Sequence, residues 1–344
     1  MGNICLSPGV HRPRYASGWR NSKLMSQTAA VVTGVVQQEQ YRLDKNDLAI
    51  IRMLSQDCRR SYRSIALTLG VATNTIKRRI QKLIANNIIE RFVANLNRAL
   101  LFDEKLSSCI LIVRRKDPDK IAQRLSLIGD SFLQVDCLGR VSVFNMTIRD
   151  EKTKKSKISS LAISLKDIRI YNLFMSKLSY QHITFNDSDL RIIKCLIEKP
   201  RIRISDVAKA ISLSEKTIQR RLDRMQRYNL LEFTVLPNPA AIRGYIYFGM
   251  IISLEKLRYE NIIKYIYSEL EQHFLPPLPV ISQEIIILSL YSDNYFDIEK
   301  ILRNVESLEG VKQVEVIQAI RMRYSQTSLI EEIDNRLANK SNNG

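Results

Sequence analysis

Apolar positions between residues 43 and 85 recur at helical spacing in three short runs. Leu48, Ile50, Ile51 and Leu54 share the face of a first helix, and Asp44 stands where an N-cap belongs. Ser61 to Leu69 is a second, shorter amphipathic helix with Ser61 as its cap, and Gly70 is free to take the positive φ that ends it. The third run, Thr73-Asn-Thr-Ile-Lys-Arg-Arg-Ile-Gln-Lys-Leu-Ile-Ala85, puts Ile76, Ile80, Leu83 and Ile84 on one face. Lys77, Arg78, Gln81 and Lys82 lie on another. Two helices joined by Gly70-Val71-Ala72 read as a helix-turn-helix. Asn86-Asn87 ends the third helix, and Ile88 to Leu96 has the β-branched and aromatic character of a short strand pair, which completes a winged unit.

The pattern then changes. Cys109 to Val113 is strand-like, Asp117-Pro118 opens a helix carrying Ile121, Leu125 and Ile128, and Gly129 closes it. Two strands follow from Val135 to Ile148, joined near Leu138-Gly139, then a helix over Ser156 to Leu165 and a strand from Ile168 to Phe174. The order is β-α-β-β-α-β, a ferredoxin-like arrangement.

Shifted by 142 positions without a gap, the first pattern returns. Asn186 and Asp189 stand where Asp44 and Asp47 stood, and Thr217-Ile-Gln-Arg-Arg-Leu222 repeats the third helix. The strand order follows again: Tyr245 to Leu254, a helix over Tyr259 to Phe274, a rigid Pro276 to Pro279 connector, Glu284 to Tyr291, a helix over Phe296 to Leu308, and one strand from Val311 to Met322. The expected fold class is α+β, with two winged helix-turn-helix domains each followed by a ferredoxin-like domain. Its parts are a disordered basic arm at 1–41, winged helices at 42–98 and 184–240, α/β domains at 107–178 and 244–324, and a C-terminal helix and tail at 326–344.

Charge adds a partner to this outline. Among 344 residues, 53 Lys and Arg face 35 Asp and Glu, a formal +18 that favours a polyanion through counterion release. Nucleic acid is the first candidate and an anionic membrane surface the second. No apolar run reaches the length of a membrane span, so a soluble, cytoplasmic and nucleoid-associated protein without a membrane partner is expected. Cys5, Cys58, Cys109, Cys137 and Cys195 show neither disulfide nor zinc spacing, and no metal or cofactor is expected. The N-terminal Met1-Gly-Asn-Ile-Cys-Leu-Ser7 lacks the Ser or Thr that myristoylation wants at position 6.

These motifs resemble the Lrp/AsnC family of transcriptional regulators. The resemblance runs through Leu43-Asp44, Asp47, Ile50-Ile51, Leu54, Arg59, Ser61, Ile65-Ala66, Leu69-Gly70-Val71, Arg79-Ile80, Leu83 and Ile88-Ile89, and again through Leu308 to Val316. It implies double-stranded DNA as the partner and an oligomerisation and effector domain in the α/β blocks. The family usually carries one such pair of domains per chain, whereas this chain has two. Its Gly-then-Asp ligand loop is not matched: Gly139 lacks the Asp, and Ser282-Gln283-Glu284 has neither residue, so the effector, if one exists, is unknown. Ser212 replaces Gly70 in the second turn, which puts that turn's geometry in question.

In a helix-turn-helix, the start of the second helix and the next turn on that face meet the bases. These are Ala72, Thr73, Asn74, Lys77 and Arg78, with Gln81 beyond, and in the second copy Ser214, Glu215, Lys216, Gln219 and Arg220. Asn74 suits adenine, and Arg78 and Arg220 suit guanine. Glu215 could accept from cytosine or repel phosphate, and reads better as a capping or surface acid. Arg79 and Arg221 lie nearer the packed side, where a phosphate contact or an internal ion pair is expected. The exposed positions differ between copies, so the expected target is an imperfect palindrome read by a pseudo-dimeric monomer or a homodimer. Two alternatives stand beside this. One is an architectural chromatin protein that coats DNA without reading it. The other is an enzyme similar to siroheme decarboxylases, whose Arg-x-Gly segment is replaced here by Glu90-Arg-Phe-Val-Ala-Asn95. In the enzyme reading, Tyr171-Asn172-Leu173-Phe174 is a partial echo of the His- and Tyr-rich strand, while His11, His182 and His273 fall elsewhere.

Overall fold

The computed structural model describes residues 41–98, 101, 107–114, 117–148, 168–173, 185–255, 259–276, 280–282 and 284–341. The basic arm, the helix expected at Ser156 to Leu165 and most of the Pro276 to Pro279 connector lie outside the described residues.

Each helix-turn-helix begins with the same cap. Helix α1 (Lys45–Gln56) starts from Asp44, whose carboxylate accepts from the Asp47 amide while Asp47 accepts from the Asp44 amide; α5 (Asp187–Glu198) does the same with Asn186 and Asp189. Such reciprocal caps satisfy two amides that the helix leaves orphaned. Helices α2 (Tyr62–Leu69) and α3 (Thr73–Ala85) follow α1, and α6 (Ile204–Ile211) and α7 (Glu215–Arg227) follow α5. Ile50, Leu54, Ile65, Ile76, Ile80 and Leu83 are completely or almost completely buried, but Ile84, expected on the same face, is 44% exposed. It sits one position past Leu83, where the face turns to solvent. The second turn keeps the geometry of the first despite its residue. Gly70 has φ 65° and Ser212 has φ 56°, the latter costing roughly 1 kcal/mol of backbone strain.

The strands after these helices depart from expectation. Ile88 to Leu96 is not a strand pair. It yields a single strand, β1 (Ile89–Leu96), which pairs antiparallel with β6 (Leu231–Pro237) from the other repeat. Phe92 faces Val235 and Val93 faces Thr234. The 142-residue shift carries one of these pairs into the other, so the ribbon is self-complementary in the manner of a two-fold dimer interface. Around it the copies grip each other: Cys58 N–H donates to the Phe233 carbonyl, and Asn238 N–H to that of Ile88. Arg59 donates to the Pro200 and Ile202 carbonyls at 2.6 and 2.9 Å and covers the Phe233 ring. Its counterpart Arg201 reaches the other way, over the rings of Tyr62 and Phe92.

The α/β blocks form two sheets. The first comprises β2 (Ser107–Arg114), β3 (Asp130–Cys137), β4 (Val141–Ile148) and β5 (Ile168–Leu173), with α4 (Pro118–Ser126) behind it. The second comprises β7 (Ile246–Leu254), β8 (Val280–Ile281), β9 (Ile285–Ser292) and β10 (Val311–Ile317), covered by α8 (Tyr259–Tyr265) and α9 (Tyr295–Glu306). The expected helix to Phe274 is α-helical only as far as Tyr265, then continues as a π turn (Ile266–Leu270) and a 3-10 turn (Glu271–His273). Strand order is β10-β7-β9-β8 in one sheet and β3-β4-β2-β5 in the other, the same ferredoxin-like order twice.

Alternation fixes how the sheets pack. Phe144, Met146 and Ile148 face α4, and Phe248, Met250 and Ile252 face α8 and α9. The opposite rows, Val141 and Val143 on one sheet and Tyr247 and Ile251 on the other, join the helix-turn-helix residues in one continuous core. The strand expected from Val311 to Met322 breaks at Gln318: β10 stays in the second sheet, whereas β11 (Ala319–Tyr324) crosses to the first and pairs with β3. Helix α10 (Thr327–Ser341) closes the chain, and Lys194 of α5 reaches its Asp334 at 2.6 Å.

Candidate nucleic-acid interface

On α3, Thr73, Asn74, Lys77, Arg78, Gln81 and Lys82 are exposed, as is Ala72 before it. On α7, Ser214, Glu215, Lys216, Gln219 and Arg220 are exposed at the matching positions. Ser214 caps α7 by accepting from the Thr217 amide, whereas Ala72 gives α3 no side-chain cap. Glu215 lies in the first turn of α7, where the helix dipole favours an acid. Gln219 donates to Asp223 at 2.7 Å, so its amide is already engaged along its own helix.

Arg79 and Arg221 take the internal alternative. Arg79 bridges Asp44 and Asp47 at 2.7 and 2.8 Å. Arg221 pairs with Asp189 at 2.7 Å and donates to the Asn186 amide oxygen at 3.1 Å. Asp47 and Asp189 have side chains only 1% exposed, so each is a buried carboxylate that ties the recognition helix to the first helix of its unit. A buried charge persists only when fully paired, and each copy completes the set differently. In the first, the Tyr41 hydroxyl donates to the second oxygen of Asp47; in the second, Arg224 does so for Asp189. Burial would lift the Asp44 carboxyl, but hydrogen bonds from the Asp47 amide and Arg79 outweigh it and hold Asp44 below its ordinary value. Burial, followed by the Asp47 hydrogen bond, pushes the Tyr41 phenol up.

The sequence reading missed Arg224 and Arg227, which extend the cationic face of α7 into a surface concavity shared with Lys216, Arg220 and Tyr228. Their signal was present, since Arg224 falls one helical turn beyond Arg220. His273, the histidine among the described residues, lies 3.1 Å from the Tyr291 carbonyl, at the end of the helical segment after α8.

An AsnC-type helix-turn-helix domain model matches residues 43–84. A winged helix-turn-helix DNA-binding model matches residues 185–232. The chain is Lrp/AsnC-like. This Lrp/AsnC-like chain is 33% identical over 97 residues to an uncharacterised HTH-type transcriptional regulator of Pyrococcus furiosus, covering 28% of the chain and 63% of that relative. It is 32% identical over 88 residues to HTH-type transcriptional regulator Ptr1 of Methanocaldococcus jannaschii, covering 26% and 57%. The chain thus spans less than two thirds of the length of either relative. Among solved structures, siroheme decarboxylase NirDL aligns with a TM-score of 0.44 at 14% identity over 86% of this chain and all of that one. E. coli AsnC aligns with a TM-score of 0.28 at 15% identity over 39% and 91%.

Proposed function

We propose that this protein is a sequence-specific double-stranded DNA-binding transcriptional regulator in which one polypeptide supplies both halves of a pseudo-two-fold reading head. The observation that carries the reading is the β1–β6 ribbon, which joins two helix-turn-helix units through the self-complementary contact that a dimer would use. Each unit keeps its recognition helix locked by a buried carboxylate while its cations stay in solvent. Locked helices pay little ordering cost on docking.

In this reading, Thr73, Asn74, Lys77, Arg78 and Gln81 meet one half-site, and Ser214, Lys216, Gln219 and Arg220 the other. Arg79, Arg221 and Arg224 orient the helices through the buried carboxylates, while Arg227 adds a phosphate contact on the second side. The half-sites differ because the exposed residues differ, so the operator is an imperfect palindrome bound by a single chain. Selection from random duplex DNA at fixed salt, followed by footprinting at known stoichiometry, tests this. A two-part protected site occupied by one chain, with a large affinity ratio over random DNA, is the expected result. A ratio near one identifies a DNA-coating protein, and protection of one half-site only would reduce the reading head to a single module.

A further inference from the structure

Beneath the ribbon, where β1 and β6 lie over the two sheets, a cavity of about 560 Å³ opens, within the size range of small-molecule sites. Its walls are mostly apolar, and both repeats contribute to them: Val93 and Phe233 from the ribbon, Val143 from the first sheet, Ile287 from the second and Met322 from β11. Two polar side chains in this lining have buried atoms without a hydrogen-bond partner, the Asn145 amide oxygen and the Thr234 hydroxyl. Asn145 is 8% exposed, in the same inward row of β4 as Val141 and Val143. The 142-residue shift maps it onto Ile287, which lines the same cavity with an apolar side chain. The fold thus leaves the Asn145 amide oxygen unpaired where the other repeat has an apolar side chain. An orphaned buried polar group costs stability, and it persists where a ligand completes it.

One charged side chain lines the cavity among the described residues, Glu232 on β6. Glu232 is itself exposed, so its carboxylate stands where the cavity meets solvent. Burial lifts it above the ordinary carboxylate range, opposed by a hydrogen bond from Asn95. Asn95 in turn accepts from the Tyr324 hydroxyl at 2.9 Å, which fixes the direction from which it donates. An oriented carboxylate at the solvent-facing rim of a mostly apolar cavity, with no Lys, Arg or His among the lining residues, has the charge balance of a site for a single cation.

We propose that this cavity binds a small amphipathic amine, its ammonium paired with Glu232 and hydrogen-bonded by the Asn145 and Thr234 side chains, its apolar body lying between ribbon and sheets. A free amino acid or a polycarboxylate is disfavoured, because its carboxylate would enter without a cation to meet it. This site is independent of whether the recognition helices read DNA.

Calorimetric titration of the full chain with three molecules of matched shape, 2-phenylethylamine, 2-phenylethanol and 3-phenylpropionate, tests it, with hexylamine as a second amine. Saturable binding of an amine is expected, with the alcohol weaker by roughly tenfold or more and the carboxylate silent. E232Q, whose shape is conserved and whose unfolding midpoint should stay at that of the parent, is expected to weaken the amine by roughly tenfold and leave the alcohol unchanged. N145L should weaken both, and E306Q, on the outer helix α9, neither. Failure of both amines to saturate at millimolar concentration, equal binding of the carboxylate, or an amine affinity indifferent to E232Q would each overturn the proposal.

Discussion

The two helix-turn-helix units differ most where they face solvent and least where they face themselves. Asp47 and Asp189, and Arg79 and Arg221, coincide under the 142-residue shift and pair in the same way, while Arg59 and Arg201 coincide in position and each reaches into the other copy. On the outward faces, Asn74, Lys77 and Gln81 become Lys216, Gln219 and Asp223, and Ala85 becomes Arg227. Duplication has preserved what aims the helix and released what the helix presents. The second unit is the more cationic along its far end but carries two acids, Glu215 and Asp223, that the first lacks.

Removing the aiming carboxylate should break the comparison most. Asp47→Ala and Asp189→Ala are each expected to cost about 3 kcal/mol in chemical unfolding. The larger loss falls at Asp189, which satisfies both Arg221 and Arg224, and the helix-cap partner left to Arg221, Asn186, is neutral. Equal losses would mean that Arg224 contributes nothing to that lock.

The outward faces respond on a smaller scale. Arg78→Ala and Arg220→Ala should each cost roughly 1 to 3 kcal/mol of binding, each at a different base position of the selected site. A uniform loss over all sequences, seen in competition binding, would place both arginines on phosphates.

Turn chemistry sharpens the comparison further. Ser212→Gly should raise stability by up to about 1 kcal/mol, and Gly70→Ala should lower it by a similar amount, since both positions are left-handed. An unfolding midpoint unmoved by either would show that the turn carries no strain. The smallest effect is in acid. The folded-state pKa of Asp44 is depressed, so its contribution is complete above the ordinary carboxylate pKa of ~4 and fades as pH falls through the depressed value. Asn186 at the matching position does not titrate, so amide exchange at low pH should rise in α1 before α5.

Helices, caps and the strands of both α/β blocks were legible because each is a local pattern: Asp44 and Asp47 lie within one turn, and Ile121 and Leu125 within another. Partnerships over distance were not. The alternation of Ile89 to Leu96 shows a strand but is silent on which strand completes it, and a hairpin is the default reading of a lone apolar run. Val311 to Met322 reads as one strand because β-branched and apolar residues recur throughout it and it holds no Gly or Pro, and although its alternation slips at Ile317, only pairing of Met322 with Val135 reveals the change of sheet. For Arg79, helical phase brought it near the packed side, but its partner sits 32 residues earlier, at Asp47, and no spacing rule reaches that far. Its sign in the sequence was the repetition of both acid and arginine at one offset.

The crossing of β11 has a consequence for taking the molecule apart. The last strand among the described residues completes the edge of the sheet laid down by the first half of the chain, with Arg321 ion-paired to the buried Asp136 at 2.8 Å. Cutting the gene between its repeats would therefore not release two self-sufficient halves. The leading fragment would lack its border strand, and the trailing fragment would carry a strand with nowhere to lie.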